Sequence, residues 1–204
     1  LARYTASGKK AWASPFLERS VRTPANPYPL DIPGFSEGKV TPQSESSMLV
    51  AEALSRRWKG GPLLDMCCGR GIKTGQLADM FPEAEIEAWD ISEGRIRAAE
   101  YEMIRMRVRD RVKFRCGDSL SLTPSKEPQA ILLDAPCTGS GTWGRHPESK
   151  WRMTPEMVMK AAELQRDLLE RAVSLVAPGG VVAYSTCSMF REENEKVVAA
   201  VMAR

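Results

Sequence analysis

The sequence has few of the residues that hold metals or form disulfide frameworks, and no long apolar run. His146 is the single histidine, which excludes a histidine-rich metal site. The five cysteines are odd in number and none stands in a Cys-x-x-Cys pair, which argues against zinc and against a disulfide framework. No apolar run approaches the ~20 residues that span a membrane, and no signal peptide is visible. We therefore expect no metal, no membrane partner and a reducing, cytoplasmic setting.

The size and charge of the chain allow several classes of partner. Its 204 residues suffice for one domain with a complete core, and 43% hydrophobic with 27% charged residues is ordinary for a globular protein. The net charge of +3 is too small to indicate a polyanionic partner by itself. Basic residues are concentrated in 1–22 and 95–115, as nucleic-acid contact and solvated helix faces both predict. We interpret 95–109 as a solvated face and leave both interpretations open for 1–22.

Strand-like and helix-like segments alternate along most of the chain. Residues 1–42, rich in proline and basic residues, are interpreted as an irregular lead-in, and 43–204 as the domain proper. Strands are predicted at 62–66, 85–90, 112–116, 129–134 and 180–186, and helices at 44–58, 72–80, 93–108, 155–177 and 191–203. This alternation predicts an α/β fold with a mostly parallel, doubly wound sheet.

Two predicted strands are each followed directly by a loop that contains a cysteine. Cys137 lies in Asp-Ala-Pro-Cys after the strand at 129–134, and Cys187 lies in Ser-Thr-Cys-Ser after the strand at 180–186. The carboxyl ends of parallel strands meet at one sheet edge, where ligands bind in such folds. We therefore expect the two thiols and the Asp134 carboxylate to lie together.

Cys68 and Cys116 are interpreted as core residues and not as catalytic thiols. A buried cysteine is most often a small core residue, and we assign that role to Cys68 and Cys116. We reject it for Cys137 and Cys187, because the turn residues around them indicate exposure at the strand ends.

A third strand-like run ends in a turn of the kind that holds a nucleotide-like cofactor. Gly69 and Gly71 let the backbone approach a ligand, and the following helix start directs free N–H groups at an anionic group. Asp90, at the end of the next strand, is placed to accept hydrogen bonds from ribose hydroxyls, and Asp118 follows the third strand near a bound adenine. The alternatives are an ordinary tight turn and, for Asp90, a helix cap. A nicotinamide cofactor would need a third glycine where this chain has Thr74.

Four segments together resemble one family of enzymes. They are residues 33–49, 65–74, 134–152 (DAPCTGSGTWGRHPESKWR) and 184–194 (YSTCSMFREEN). They resemble the catalytic core of the Sun-type (NOL/NOP/Sun) RNA (cytosine-5)-methyltransferases over roughly residues 28–200. The resemblance implies a Rossmann-like methyltransferase domain at 43–204. Two closing C-terminal strands of that fold are expected to be absent, and so is an accessory RNA-binding domain beyond residues 1–30. The first residue, Leu1, also indicates a piece of a longer protein.

The resemblance implies a role for each candidate site residue. Cys187 matches the nucleophile and Cys137 the residue that assists product release, while Asp134 pairs with the base and Lys73 orients Asp134 or the cofactor. The implied cofactor is S-adenosylmethionine, bound by Cys67, Cys68, Gly69, Arg70, Gly71, Ile72, Lys73, Asp90, Asp118 and Asp134. One departure is that the family usually has Pro-Gly-Gly where this chain has Arg-Gly-Ile at 70–72.

The implied substrate is a cytosine in RNA. Arg145, Lys150 and Arg152 are predicted to contact phosphates, and Trp143 or Trp151 to stack on a base, although Trp151 suits a core position equally well. The expected reaction is methylation of cytosine carbon 5 in rRNA or tRNA by a monomer, through a covalent Cys–base adduct. The alternatives are a DNA cytosine-5 methyltransferase, whose Pro-Cys cysteine is the nucleophile, and a non-catalytic RNA-binding or ribosome-assembly factor.

Overall fold

The structure, a computed structural model, describes residues 1–24 and 28–203 and begins with a segment of little regular structure. This segment contains helix α1 (Ala2–Ala6) and a short antiparallel ribbon of strands β1 (Trp12–Ala13) and β2 (Val21–Arg22). Its arginines pair with carboxylates further along the chain: Arg3 with Glu37, Arg19 with Asp79, and Arg22 with Glu45. Residues 25–27 of the predicted lead-in and Arg204 of the predicted domain lie outside the described residues.

One parallel sheet forms the centre of the domain. Its strands are β3 (Leu63–Asp65), β4 (Ile86–Asp90), β5 (Val112–Cys116), β6 (Ala130–Asp134) and β7 (Val181–Ser185), in the spatial order β5-β4-β3-β6-β7. The chain moves outward from β3 to β5 and then returns to the other side of β3 with β6. In sheets of this kind the crevice at such a reversal binds ligands. The predicted mostly parallel, doubly wound sheet is confirmed.

Helices cover both faces of the sheet because the strands are apolar on both sides. Helices α2 (Glu45–Ser55), α3 (Ile72–Met80) and α4 (Glu93–Met106) pack on the face that includes Leu63 and Leu132. Helices α5 (Pro155–Leu175) and α6 (Glu195–Met202) pack on the opposite face with Leu64 and Leu133. Side chains of the strands alternate between the two cores, and these leucines are at most 1% exposed. A near-continuous apolar strand is typical of a parallel sheet buried on both sides.

The predicted strands and helices of the domain are all present, but four of the helices are shorter than predicted: those at 44–58 and 155–177 end at Ser55 and Leu175, and two others differ for a visible reason. The predicted helix at 93–108 ends at Met106, because Arg107 has a left-handed backbone (φ +60°) that terminates it. The predicted helix at 191–203 is instead a 3-10 turn, Arg191–Glu193, followed by α6. Asn194 interrupts it, since its side-chain amide donates to the carbonyls of Ser188 and Phe190 and so ties this point to the preceding loop.

Candidate active site

The two loop cysteines lie side by side at the carboxyl edge of the sheet. Strands β6 and β7 pair with Asp134 opposite Ser185, so the loops that follow them run next to each other. The Sγ atoms of Cys137 and Cys187 are 3.1 Å apart, and the Cys187 N–H donates to Cys137 Sγ at 3.3 Å. Cys187 is exposed and Cys137 is half-buried. The fold therefore joins two thiols that are distant in sequence.

The two thiols differ in pKa. Hydrogen bonding by Cys137 lowers the pKa of Cys187 from 9.0 to about 7, and the charge of Lys73 acts in the same direction. The same hydrogen bond, together with burial, raises the pKa of Cys137 far above its usual value. At neutral pH Cys187 is therefore partly thiolate while Cys137 keeps its proton. A thiolate is the reactive form of cysteine, so Cys187 is the better nucleophile of the pair.

Asp134 is held at the same edge by two neighbours. Lys73, in the first turn of α3, donates from Nζ to Asp134 Oδ2 at 2.6 Å, and the Ser185 hydroxyl donates to Oδ1 at 2.7 Å. Each carboxylate oxygen thus has one fixed partner and a free acceptor site. Sequence reasoning singled out Lys73 but missed Ser185. Ser185 could have been recognised because it lies opposite Asp134 when the two strands pair in parallel.

Small residues allow the two cysteine loops to pack closely. The Gly141 N–H donates to the Cys187 carbonyl at 2.9 Å, and the Met189 N–H donates to the Ser140 hydroxyl at 2.7 Å. A Cβ on Gly141 would lie 2.9 Å from that same carbonyl oxygen, so any side chain there would push the loops apart. Gly141 therefore permits the close pairing of the two loops.

A fully buried carboxylate, Glu193, lies beneath both loops. It accepts hydrogen bonds from Thr138, from Ser188 and from Gln165 on α5. Burial opposes its ionisation, but these hydrogen bonds hold the pKa of Glu193 below its usual value. Sequence reasoning missed Glu193 and Gln165. The only signal was that the matching segment 184–194 includes the Glu193-Asn194 pair.

The glycine turn after β3 borders open space. Gly69 (φ +56°) and Gly71 (φ +78°) are both in the left-handed region that glycine adopts freely. A Cβ on Gly69 would meet nothing within 4 Å, whereas one on Gly71 would lie 2.9 Å from the Ala99 Cβ of α4. Helix α3 begins at this turn without a side-chain cap. Ile72, the departure from the family pattern, is already helical, so the turn does not require a third glycine.

Two of the predicted cofactor carboxylates support loops at the ends of β4 and β5. Asp90 is 4% exposed and accepts from the Gly69 N–H at 3.0 Å and from the Ser92 N–H at 2.9 Å. It therefore ties the glycine turn to the segment before α4, whose N-cap is Ser92 and not Asp90. Asp118 is exposed and accepts from the Leu120 N–H at 3.0 Å.

Asp65, which ends β3, is a buried carboxylate that lacks a partner on one oxygen. Its side chain is 1% exposed, and Oδ2 accepts from the Thr74 hydroxyl at 2.7 Å. Oδ1 has no hydrogen-bond partner among the described residues. Burial raises the pKa of Asp65 to about 7. Sequence reasoning included Asp65 in the turn without assigning it a role.

The three other cysteines differ in accessibility. Cys68 is buried, as expected of a core residue, and Cys67 is half-buried in the turn, where burial raises its pKa to about 12. The core assignment of Cys116 is wrong. Cys116 is exposed because it is the last residue of β5, an outer strand of the sheet, although it shares a strand face with buried Val112.

The loop that follows Cys137 reaches the surface. Trp143 packs edge-on against Phe190 with ring centroids 6.0 Å apart, and Lys150 Nζ lies 6.0 Å from the Trp143 ring. Trp151 is 85% exposed, so the core alternative for this residue is wrong. The three predicted RNA-contacting cations are also exposed: Arg145, Lys150 and Arg152.

The structure has a cleft of about 870 Å³, and neither Cys137 nor Cys187 lines it. It lies between helices α2 and α3 on one side and parts of residues 1–23 and 32–44 on the other. Ile72, at the glycine turn, and Arg145, in the loop after Cys137, both line it. A ligand in this cleft would therefore extend from the lead-in to the edge of the candidate site.

The basic residues at 95–115 are largely matched by acidic neighbours. Five ion pairs connect them: Arg95–Asp90, Arg97–Glu93, Arg105–Glu102, Arg109–Glu100 and Arg115–Glu87. The pairs within 95–109 support the solvated-face interpretation of that segment, except at Arg105, which is mostly buried and donates to residues 35–41. Within residues 1–24 and 28–203, no helix is long and apolar enough to cross a membrane, and no group of three His, Cys, Asp or Glu side chains is arranged to hold a metal ion.

Comparison with known proteins places this geometry in context. Residues 53–204 match the family model described as 16S rRNA methyltransferase RsmB/F. Ribosomal RNA small subunit methyltransferase B of Klebsiella pneumoniae subsp. pneumoniae is 34% identical over 206 residues, which cover 100% of this chain and 47% of that protein. The chain thus spans about half the length of the curated relatives it matches.

Two solved structures from Pyrococcus horikoshii share the fold. A methyltransferase homologue protein has a TM-score of 0.83 and 31% identity, covering 100% of this chain and 64% of its own. NSun6 with SFG has a TM-score of 0.75 and 31% identity, covering 87% of this chain and 45% of its own.

Proposed function

The chain belongs to the 16S rRNA methyltransferase RsmB/F family, and from this premise we propose that it catalyses S-adenosylmethionine-dependent methylation of carbon 5 of a cytosine in RNA. The observation that carries the proposal is the pair of thiols 3.1 Å apart beside the oriented carboxylate of Asp134. Because the relatives are named for ribosomal RNA, we propose rRNA as the substrate, with tRNA as the alternative.

The glycine turn fits S-adenosylmethionine. The partnerless Asp65 Oδ1 would accept from the ammonium of its amino-acid part, and the uncapped start of α3 suits the carboxylate. Asp90 keeps a free acceptor site on Oδ1 for a ribose hydroxyl, whereas Oδ2 accepts from the Gly69 N–H and also lies 3.7 Å from the Arg95 guanidinium. Asp118 and the backbone of 67–73 complete the proposed set. When bound, the cofactor supplies a methyl group activated as a sulfonium.

Cys187 would make the cytosine ring reactive. Carbon 5 lies in an aromatic ring and is a weak nucleophile. Addition of the Cys187 thiolate to carbon 6 forms a C–S bond and shifts electron density to carbon 5. Asp134, fixed by Lys73 and Ser185, would accept from the exocyclic amine and, in its protonated form, donate its proton to the ring nitrogen, which neutralises the negative charge that develops there.

Cys137 would serve the release step. After methylation, carbon 5 must lose its proton, and the electrons of that C–H bond expel the Cys187 sulfur from carbon 6. In the adduct Cys187 is a neutral thioether, so the interaction that raises the pKa of Cys137 is removed. Cys137 can then ionise, and its thiolate would accept the proton that carbon 5 loses.

The target base must leave its stack before carbon 6 is accessible. Trp151 is the exposed aromatic ring available to stack on a neighbouring base, since Trp143 is packed against Phe190. Arg145 belongs both to the loop after Cys137 and to the cleft beside the lead-in. We propose that the flanking strand follows this cleft, with phosphates near Arg145, Lys150 and Arg152.

The experiment that tests the proposal traps the covalent adduct on the full-length protein. Cys187→Ala should abolish both methylation and any covalent link to RNA. Cys137→Ala should still form the adduct but fail to resolve it, giving a protein–RNA band that survives denaturing electrophoresis and disappears with ribonuclease. Cys116→Ala is the matched control, because Cys116 is also exposed but lies at the end of β5. An adduct that persists in Cys187→Ala and is lost in Cys137→Ala would indicate the DNA-type assignment instead.

A further inference from the structure

Glu193 is an unusual residue to find without solvent contact. Its relative exposure is 0%, and a buried carboxylate is costly unless donors surround it. Four hydrogen bonds meet this need: the N–H and hydroxyl of Thr138, the hydroxyl of Ser188, and the side-chain amide of Gln165. The N–H of Thr138 lies 2.9 Å and the Gln165 amide 2.8 Å from Oε2. Glu193 is therefore an ionised acceptor whose charge is stabilised by four neutral hydrogen-bond donors.

The partners of Glu193 belong to both cysteine loops. Thr138 directly follows Cys137, and Ser188 directly follows Cys187. Gln165, which donates to Glu193, also donates to the Pro136 carbonyl at 2.9 Å, on the other side of Cys137. One carboxylate thus fixes the residue after each thiol and, through Gln165, the residue before Cys137.

The backbone of Glu193 is itself anchored to the sheet. The Tyr184 hydroxyl on β7 donates to the Glu193 carbonyl at 2.7 Å. The next residue, Asn194, accepts from the Thr186 hydroxyl at 2.7 Å and donates to the Ser188 carbonyl at 3.0 Å. The carboxylate is consequently presented from a fixed point rather than from a free loop.

We propose that Glu193 is a positioning residue that holds the sulfur atoms of Cys137 and Cys187 within contact of each other. It touches neither sulfur and acts through Thr138, Ser188 and Gln165. Without its carboxylate, the Gly141 to Cys187 and Met189 to Ser140 hydrogen bonds still join the loops. The loops would remain folded, but the thiols would no longer be held at 3.1 Å. The proposal rests on the proposed function only for its effect on methylation.

The test measures thiol reactivity in the full-length protein without RNA or cofactor. Alkylation of the Cys187 peptide is followed by mass spectrometry from pH 6 to 10. In Glu193→Ala, the midpoint for Cys187 should rise from about 7 toward 9.0, because Cys137 no longer donates to it. Glu193→Gln should restore a midpoint near the wild-type value, since the hydroxyls of Thr138 and Ser188 can reorient to accept from its amide. Glu192→Ala is the matched control, because this neighbouring carboxylate pairs with Lys196 at 2.8 Å instead.

A double variant separates positioning from general stability. In a Cys137→Ala background, Glu193→Ala should cause no further shift, because both changes remove the same contact. A lower melting temperature with an unchanged midpoint in Glu193→Ala would reduce Glu193 to a structural role and overturn the proposal. An additive shift in the double variant would also overturn it.

Milder changes keep the test decisive if Glu193→Ala does not fold. Ser188→Ala and Thr138→Val each remove one hydroxyl donor while the Thr138 N–H remains, so each should raise the Cys187 midpoint by a smaller amount. Unchanged midpoints in both would refute the positioning role. Failure of the proposed function is distinguishable, because a wild-type protein that does not methylate RNA leaves these thiol measurements intact.

Discussion

Replacing Cys137 by alanine should slow the alkylation of Cys187 at neutral pH. The structure gives Cys187 a neighbour whose sulfur lies 3.1 Å away and whose hydrogen bond lowers the pKa of Cys187 to about 7. Removing that donor returns the pKa toward 9.0. At pH 7 the thiolate fraction would then fall from about one half to about 1%, a decrease of roughly fiftyfold.

The rate should fall by less than the thiolate fraction. A thiolate of higher pKa is intrinsically more nucleophilic, with a Brønsted coefficient of about 0.4–0.5. A pKa that is higher by two units therefore raises the rate constant of the thiolate itself by roughly a factor of eight. The net prediction is a decrease of about sixfold at pH 7. At high pH, Cys187 is ionised in both proteins, and Cys137→Ala should then react about eightfold faster than wild type. The curves of rate against pH for the two proteins should cross a little above pH 8.

The assay follows the Cys187 peptide by mass spectrometry during timed exposure to iodoacetamide, so that labelling of exposed Cys116 is counted separately. Cys137→Ser is the matched control, because its hydroxyl can still donate to Cys187 and should keep most of the lowered pKa. Parallel curves for wild type and Cys137→Ala, with no crossing, would refute the unequal sharing of protons between the two thiols.

Two further predictions concern ligands of the full-length protein. S-adenosylmethionine at a hundred times its Kd should raise the melting temperature by about 5–10 °C, and Asp90→Ala should remove this rise while Asp110→Ala, an exposed carboxylate at the opposite edge of the sheet, retains it. A rise with NAD and none with S-adenosylmethionine would show that the cofactor assignment is wrong. RNA binding should weaken with salt, and the double variant Arg145→Ala, Lys150→Ala should lower the slope of log K against log salt by about 1.4 for a single strand. Arg56→Ala with Arg57→Ala, exposed arginines at the far end of α2, should leave the slope unchanged, and equal slopes in both double variants would count against the proposed RNA path.

The alternation of strands and helices was enough to predict the sheet and the meeting of Cys137, Cys187 and Asp134 at its edge. Such a prediction depends only on period and on the direction of parallel strands. The contacts of Glu193 were beyond sequence reasoning, because its partners Thr138 and Gln165 are 55 and 28 residues away. A carboxylate in a run of charged residues gives no local sign that it will be buried.

Two of the predictions that were wrong, the core position of Cys116 and the helix at 191–203, failed because contacts that the local pattern does not show decide these features. Cys116 was assigned to the core although β5 lies at the outer edge of the sheet, and strand order is not encoded in local pattern. The helix predicted at 191–203 continued through Asn194, whose side chain prefers the loop carbonyls to the helical backbone.

The pairing of β6 with β7 also has a consequence for the time course of folding. The two strands are joined by a crossover that includes all of α5, so neither thiol meets the other until that long loop has closed. On a ribosome, Cys137 is synthesised 50 residues before Cys187. Until β7 docks, Cys187 lacks its neighbour and behaves as an ordinary thiol. The pKa of Cys187 is therefore lowered only after β7 has paired with β6. The nascent chain carries no activated thiolate before that step.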